Sequence, residues 1–218
     1  LAEACVEAAL RLAEQELNER YGAPDPPGVT VVAMGKLGGG ELGYASDLDL
    51  FLVYAAEGRT TGRDGLSHPE YFSKLADRVS KILTSITQEG AAYRVDSRLR
   101  PGGQKGELAV ALAGLQAHFS RLADLWERQA YIKARPIAGD PAVGAAFLEC
   151  VHGFVYGGPE EPDLAARVAA MRYRMETERA GPAGKAHVKL GAGGIVDVEF
   201  LAQYLQLRHG RGDASLRV

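Results

Sequence analysis

The chain has 218 residues, 46% hydrophobic and 24% charged, enough for one larger domain or two small ones. Its 28 acidic and 25 basic residues leave a net charge of -3, which argues against a nucleic-acid binder that works by bulk charge. Two distant cysteines, Cys5 and Cys150, argue against a disulfide framework or zinc site and for a reducing cytoplasm, and no apolar run reaches the length of a membrane span.

In residues 1–21, Cys5, Val6, Ala9, Leu10, Ala13 and Leu17 recur at three- and four-residue steps, which predicts an amphipathic helix. The breaker GAPDPPG (22–28) ends it, and VTVVAM (29–34) predicts a short apolar strand. GKLGGGELGYAS follows, a Gly-rich loop with room for a turn of helix in its middle. DLDLFLVY (47–54) predicts the next strand, and the polar, Gly-rich residues 55–68 a surface loop. PEYFSKLADRVSKILTSI (69–86) predicts a helix with Phe72, Leu75, Val79, Ile82 and Leu83 on one face.

AAYRVDSRLRP (91–101) predicts a third strand, ended by Pro101, and GELAVAL (106–112) a fourth. From about residue 113 strand signals stop, and helical periodicity runs over 113–134, 141–156, 160–180 and 195–208, punctuated by Gly/Pro clusters at 157–159 and 181–184. The expected architecture is α+β: a catalytic domain over 1–112, with a small mixed sheet and a leading helix, then an all-helical domain over 113–218. The chain starts at Leu and ends in a charged stretch, so it reads as a piece of something longer.

Residues two apart on a strand share a face, so Asp47 and Asp49 point one way and Leu48, Leu50 and Leu52 the other. Two carboxylates side by side repel, and more so on a packed sheet. A solvated strand end would account for the pair. So would a divalent cation, since Mg²⁺ binds one or two carboxylates while keeping waters and substrate phosphates. If strands 29–34, 47–54 and 91–100 are neighbours, Asp96 joins them, and three carboxylates can hold two metals for in-line nucleotidyl transfer.

The Gly-rich loop suits the same chemistry. Gly38, Gly39 and Gly40 let a phosphate approach the backbone, Ser46 offers a hydroxyl and Lys36 a charge. Arg98 and Arg100 fall at even steps from Asp96 and either bind phosphates or neutralise the acidic cluster. Lys133 and Arg135 either reach the nucleotide or mark a solvated helix end before Pro136. No Walker loop or dinucleotide fingerprint is present, and the five histidines show no ligand spacing.

GKLGGGELGYASDLDLFLVY, YRVDSRLRPGGQKGEL, WERQAYIKARPIAGD and KLGAGGIVDVEFLAQYLQLRHG occur in that order. Together they resemble the successive motifs of the glutamine synthetase adenylyltransferase/deadenylylase family, from about Val31 to about Gly210. The resemblance implies a nucleotidyltransferase fold related to DNA polymerase β, with Asp47, Asp49 and Asp96 as metal-binding and catalytic carboxylates. It also matches Gly38, Gly39 and Ser46 to the family's phosphate-binding pattern. It implies Mg²⁺, ATP as substrate, glutamine synthetase and a PII-type signal protein as partners, and no nucleic acid or membrane.

Family members carry two catalytic units. One moves AMP from ATP to a tyrosine of glutamine synthetase, and the other removes AMP with phosphate to give ADP. This chain has room for one. Adenylylation is the reading taken here, with deadenylylation or a non-catalytic nucleotide-binding regulatory module as alternatives.

Overall fold

The structure, a computed structural model, describes residues 1–158, 161–179 and 187–217. Helix α1 (Ala2–Tyr21) buries the predicted stripe from Val6 to Leu17. Strand β1 (Pro24–Asp25) pairs with β4 (Arg59–Thr60) in a two-stranded ribbon, so the polar loop is partly ordered by backbone pairing. Strand β2 (Val29–Ala33) is buried throughout, α2 (Gly35–Gly38) is a single turn, and β3 (Leu48–Tyr54) follows the Gly-rich loop. Helix α3 (His68–Thr84) opens on a capping box in which Ser67 and Glu70 satisfy each other's backbone N–H groups.

The main sheet has the order β5-β3-β2-β7, where β5 is Val95–Asp96 and β7 is Arg135–Gly139. A fifth strand, β6 (Ala109–Ala111), also pairs with β3. β2 runs antiparallel to β3 and β7, while β5 and β6 run parallel to the start and end of β3. The sheet is therefore mixed, as expected. On one face Leu48, Leu50, Leu52 and Tyr54 join the buried residues of α1 and α3 in one core. On the other, Phe51 meets Phe147 of α6 (Pro141–Tyr156) edge-on, with ring centroids 6.2 Å apart.

Three elements depart from the sequence reading. The third strand is only two residues long, because the Asp96 carboxylate accepts the backbone N–H of Arg98 at 2.9 Å and turns the chain off the sheet. The even-step rule that put Arg100 on the face of Asp96 lapses there. Strand β7 lies between the 113–134 and 141–156 helical stretches, past the point where strand signals were expected to stop. Pro136 can sit in it because β7 is an edge strand, and the register shifts between Val31 and Val32, opposite that proline. The predicted 113–134 helix is broken. It becomes α4 (Leu112–Arg121), then α5 (Leu125–Ala130) behind an Asp124–Glu127 capping box, then a 3₁₀ turn over Tyr131–Lys133.

The chain forms two compact units, each interrupted in sequence. The first comprises Leu1–Ala123 and Lys133–His152, so 113–123 and 133–152 cluster with the sheet. The second comprises Asp124–Ile132 and the chain from Gly153 onward. Its described elements are helical: α5, the end of α6, α7 (Leu164–Arg179) and α8 (Ile195–His209). Buried Arg172 ties α7 to α8, donating to Asp197 at 2.5 Å and to the carbonyls of Leu190 and Gly191. The cluster at 181–184 and Pro159 of the one at 157–159 lie outside the described residues. Among the described residues no helix is long and apolar enough to cross a membrane.

Candidate active site

The start of β3 sets the site. Leu48, fully buried, anchors the strand between Asp47 and Asp49. Asp49 stands opposite Asp96 in the parallel register of β3 and β5. In-register neighbours of a parallel pair project to the same face, so the strands present both carboxylates on one face. Asp47, just ahead of the strand, is exposed and accepts Arg94 Nε at 2.8 Å.

Asp96 receives the Arg98 guanidinium, Nη2 at 2.5 Å and Nε at 2.7 Å on the same carboxylate oxygen. That hydrogen bond holds the Asp96 carboxyl below the usual range, against the opposing effect of burial. In return Asp96 raises the Arg98 guanidinium, and the charges of Asp49 and Asp47 add to it. One guanidinium thus feels all three predicted carboxylates.

The glycine turn packs directly on Asp49. Gly35 has φ +54, and a Cβ built there would lie 2.5 Å from Asp49 Oδ2. A Cβ on Gly38 would lie 1.9 Å from the Lys133 carbonyl oxygen and 2.6 Å from that of Ala33. Gly38 is thus fixed by close backbone packing. Gly39 and Gly40 are more open, and Lys36 is exposed on the turn. Ser46 is half-buried, next to Ala45, which holds a left-handed φ of 56° in the loop leading to Asp47.

Arg100 lies elsewhere than its spacing suggested. Its guanidinium binds the carbonyls of Ser97 (2.6 Å), Gly106 (2.7 Å) and Gln104 (2.8 Å), closing the loop between β5 and β6. Lys133 and Arg135 were read as a helix end or a nucleotide contact. Arg135 braces the glycine turn, donating to the carbonyls of Gly38 and Leu37 at 3.0 Å each and to Glu3 of α1 at 2.6 Å. Lys133 lies over Gly39 and pairs with Glu41. The available signal was the alternation of Lys133 and Arg135 around a buried Ala134, which is a strand pattern.

Among the described residues no three Asp, Glu, His or Cys side chains are gathered as a ready metal cluster. The donor chemistry of Asp47, Asp49 and Asp96 is that of ligands for a hard divalent cation. Their oxygens are carboxylates, and a positive group, Arg98, already sits in their common field.

Fold and site together define a mixed α/β protein with paired carboxylates under a glycine turn at a sheet end. The family model for glutamate-ammonia ligase adenylyltransferase matches residues 1–150. Among relatives, the bifunctional glutamine synthetase adenylyltransferase/adenylyl-removing enzymes of Xanthomonas campestris pv. campestris and Stenotrophomonas maltophilia are each 40% identical over 222 residues. That of Pseudomonas aeruginosa is 36% identical over 224 residues. Each alignment covers 100% of this chain but only 23–24% of the relative, so the chain spans about a quarter of their length. The chain belongs to the glutamate-ammonia ligase adenylyltransferase family.

Proposed function

We propose that this chain is one catalytic unit of a metal-dependent nucleotidyltransferase that moves AMP from ATP to a tyrosine hydroxyl of glutamine synthetase, regulating nitrogen assimilation. The observation that carries this is the register pairing of Asp49 with Asp96, with Gly35 of the glycine turn packed on Asp49. The names of the relatives supply the substrate class. The same proposal includes a polymerase β-like sheet followed by a helical domain, a cytoplasmic setting, and regulation by a PII-type signal protein through a longer parent.

Asp47, Asp49 and Asp96 would hold Mg²⁺, two ions in the full reaction, and ATP would lie along Lys36, Gly38, Gly39 and Ser46. When bound, Mg²⁺ neutralises phosphate charge and acidifies the attacking hydroxyl. Asp96 would accept the hydroxyl proton as the tyrosine oxygen bonds to the α-phosphorus, and the bond from that phosphorus to the β-phosphate oxygen breaks to release pyrophosphate. Arg98 presents positive charge to the phosphates, and Arg100 holds the loop that follows it. The relatives' names include adenylyl removal, so the opposite direction, with phosphate as attacker and ADP as product, is the second reading.

The test incubates the chain with glutamine synthetase in both modified states, with ATP or with phosphate, and reads the tyrosine by mass. Mass gain with ATP supports adenylylation, mass loss with phosphate supports removal, and neither outcome would leave a binding module. Asp49→Asn should cut transfer by about a hundredfold or more with the fold retained. A folded Asp47→Asn/Asp49→Asn variant with full activity would sink the assignment.

A further inference from the structure

We propose that Lys133 is a phosphate ligand for the nucleotide, kept in place by Glu41 until the nucleotide arrives. This rests on the adenylyl-transfer reading above. Lys133 is packed on the turn by backbone and stem: its carbonyl oxygen lies 1.9 Å from where a Cβ on Gly38 would be, and its Cδ lies 3.2 Å from where a Cβ on Gly39 would be. Any side chain at residue 39 would push the stem aside. The side chain is only 18% exposed, whereas its partner Glu41 is 50% exposed. The stem is therefore largely desolvated, and the ammonium meets a partner that is itself open to solvent.

Position gives the ammonium its target. Gly35, at the start of α2, touches Asp49, and Gly39, just past its end, touches Lys133. Four helical residues rise about 6 Å. Asp49 and the Lys133 stem thus flank one helical turn, a separation that linked phosphate groups can bridge. An ammonium is a compact point charge that suits phosphate, and an ion pair with a half-exposed glutamate is weak enough to exchange for a polyanion. Arg135 does not compete for the role, because its guanidinium holds the turn's carbonyls and Glu3.

The experiment measures calorimetric affinities of the intact chain for Mg·ATP, ADP and AMP with Lys133→Met, which keeps the stem, Lys133→Arg and Glu41→Gln. Lys133→Met should weaken ATP about tenfold or more while changing AMP less than about twofold. Lys133→Arg should retain part of the affinity, and Glu41→Gln should strengthen ATP about threefold by removing the competing carboxylate. Equal weakening of ATP and AMP by Lys133→Met, or no weakening at all, overturns the assignment and leaves the function standing. No strengthening in Glu41→Gln overturns the holding role of Glu41. A wild-type chain that binds no ATP overturns both the function and this ligand.

Discussion

Glu14 and Glu7 lie on the same helix and respond to pH in opposite ways. Burial raises the Glu14 carboxyl, and the charge of Glu7 raises it further. A raised carboxyl binds its proton more tightly in the folded state, so its contribution to stability is present below the unfolded value of 4.5 and is lost as pH rises through the folded value. Glu14→Gln should therefore stabilise the chain by about 0.5 kcal/mol at pH 7 and by nothing at pH 3.5, read from urea midpoints at both. Glu7 is lowered chiefly because it accepts the Gly139 N–H, at 3.0 Å. Its contribution is present above 4.5 and lost as pH falls through the folded value, so Glu7→Gln should cost about 1 kcal/mol at pH 7. At this scale the pairing of the strands that carry Asp49 and Asp96 was legible, because both lie in runs of strand type. Lys133 and Arg135 were not recognised as partners of the glycine turn, because no local pattern links them to Gly38, some 95 residues earlier, and the following proline reads as a terminator.

The first two long helices were read from hydrophobic periodicity to within two residues, whereas the 113–134 stretch broke into shorter pieces. α1 and α3 show why: each has one apolar stripe and one core to meet. β5 was over-extended, because the pattern of alternating residues does not reveal that Asp96 will take the Arg98 N–H and end the strand. Beyond it, Arg100 replaces ladder hydrogen bonds by gathering three loop carbonyls. Arg100→Ala leaves those carbonyls without their donor. Amide exchange over 97–108 should speed up at least tenfold, with the protection of β2 and β3 unchanged. A loop that exchanges at the wild-type rate would show that the arginine does not organise it.

For the molecule as a whole, the α/β character was legible from the order of strand and helix signals, whereas the partition into units was not. Composition shifts near 113 mark a change of local pattern, but the sheet takes its last strand from residues 135–139. That strand covers the hydrogen-bonding edge of β2 and carries the braces of the glycine turn. A chain ended at Ala123 should therefore aggregate, its β2 edge unpaired, while one ended at His152 should give a cooperative thermal transition. Soluble, cooperatively folded 1–123 would refute this.

The chain passes from one unit to the other after Ala123, after Ile132 and after His152. In genetic terms, a recombination that exchanged one unit for a homologous copy would need three matched breakpoints, two of them flanking a nine-residue segment. A single crossover inside this stretch would join halves that had not been selected together. The sheet and the helices that follow it should therefore be inherited as one block, and the substitution histories of β7 and the glycine turn should run in step.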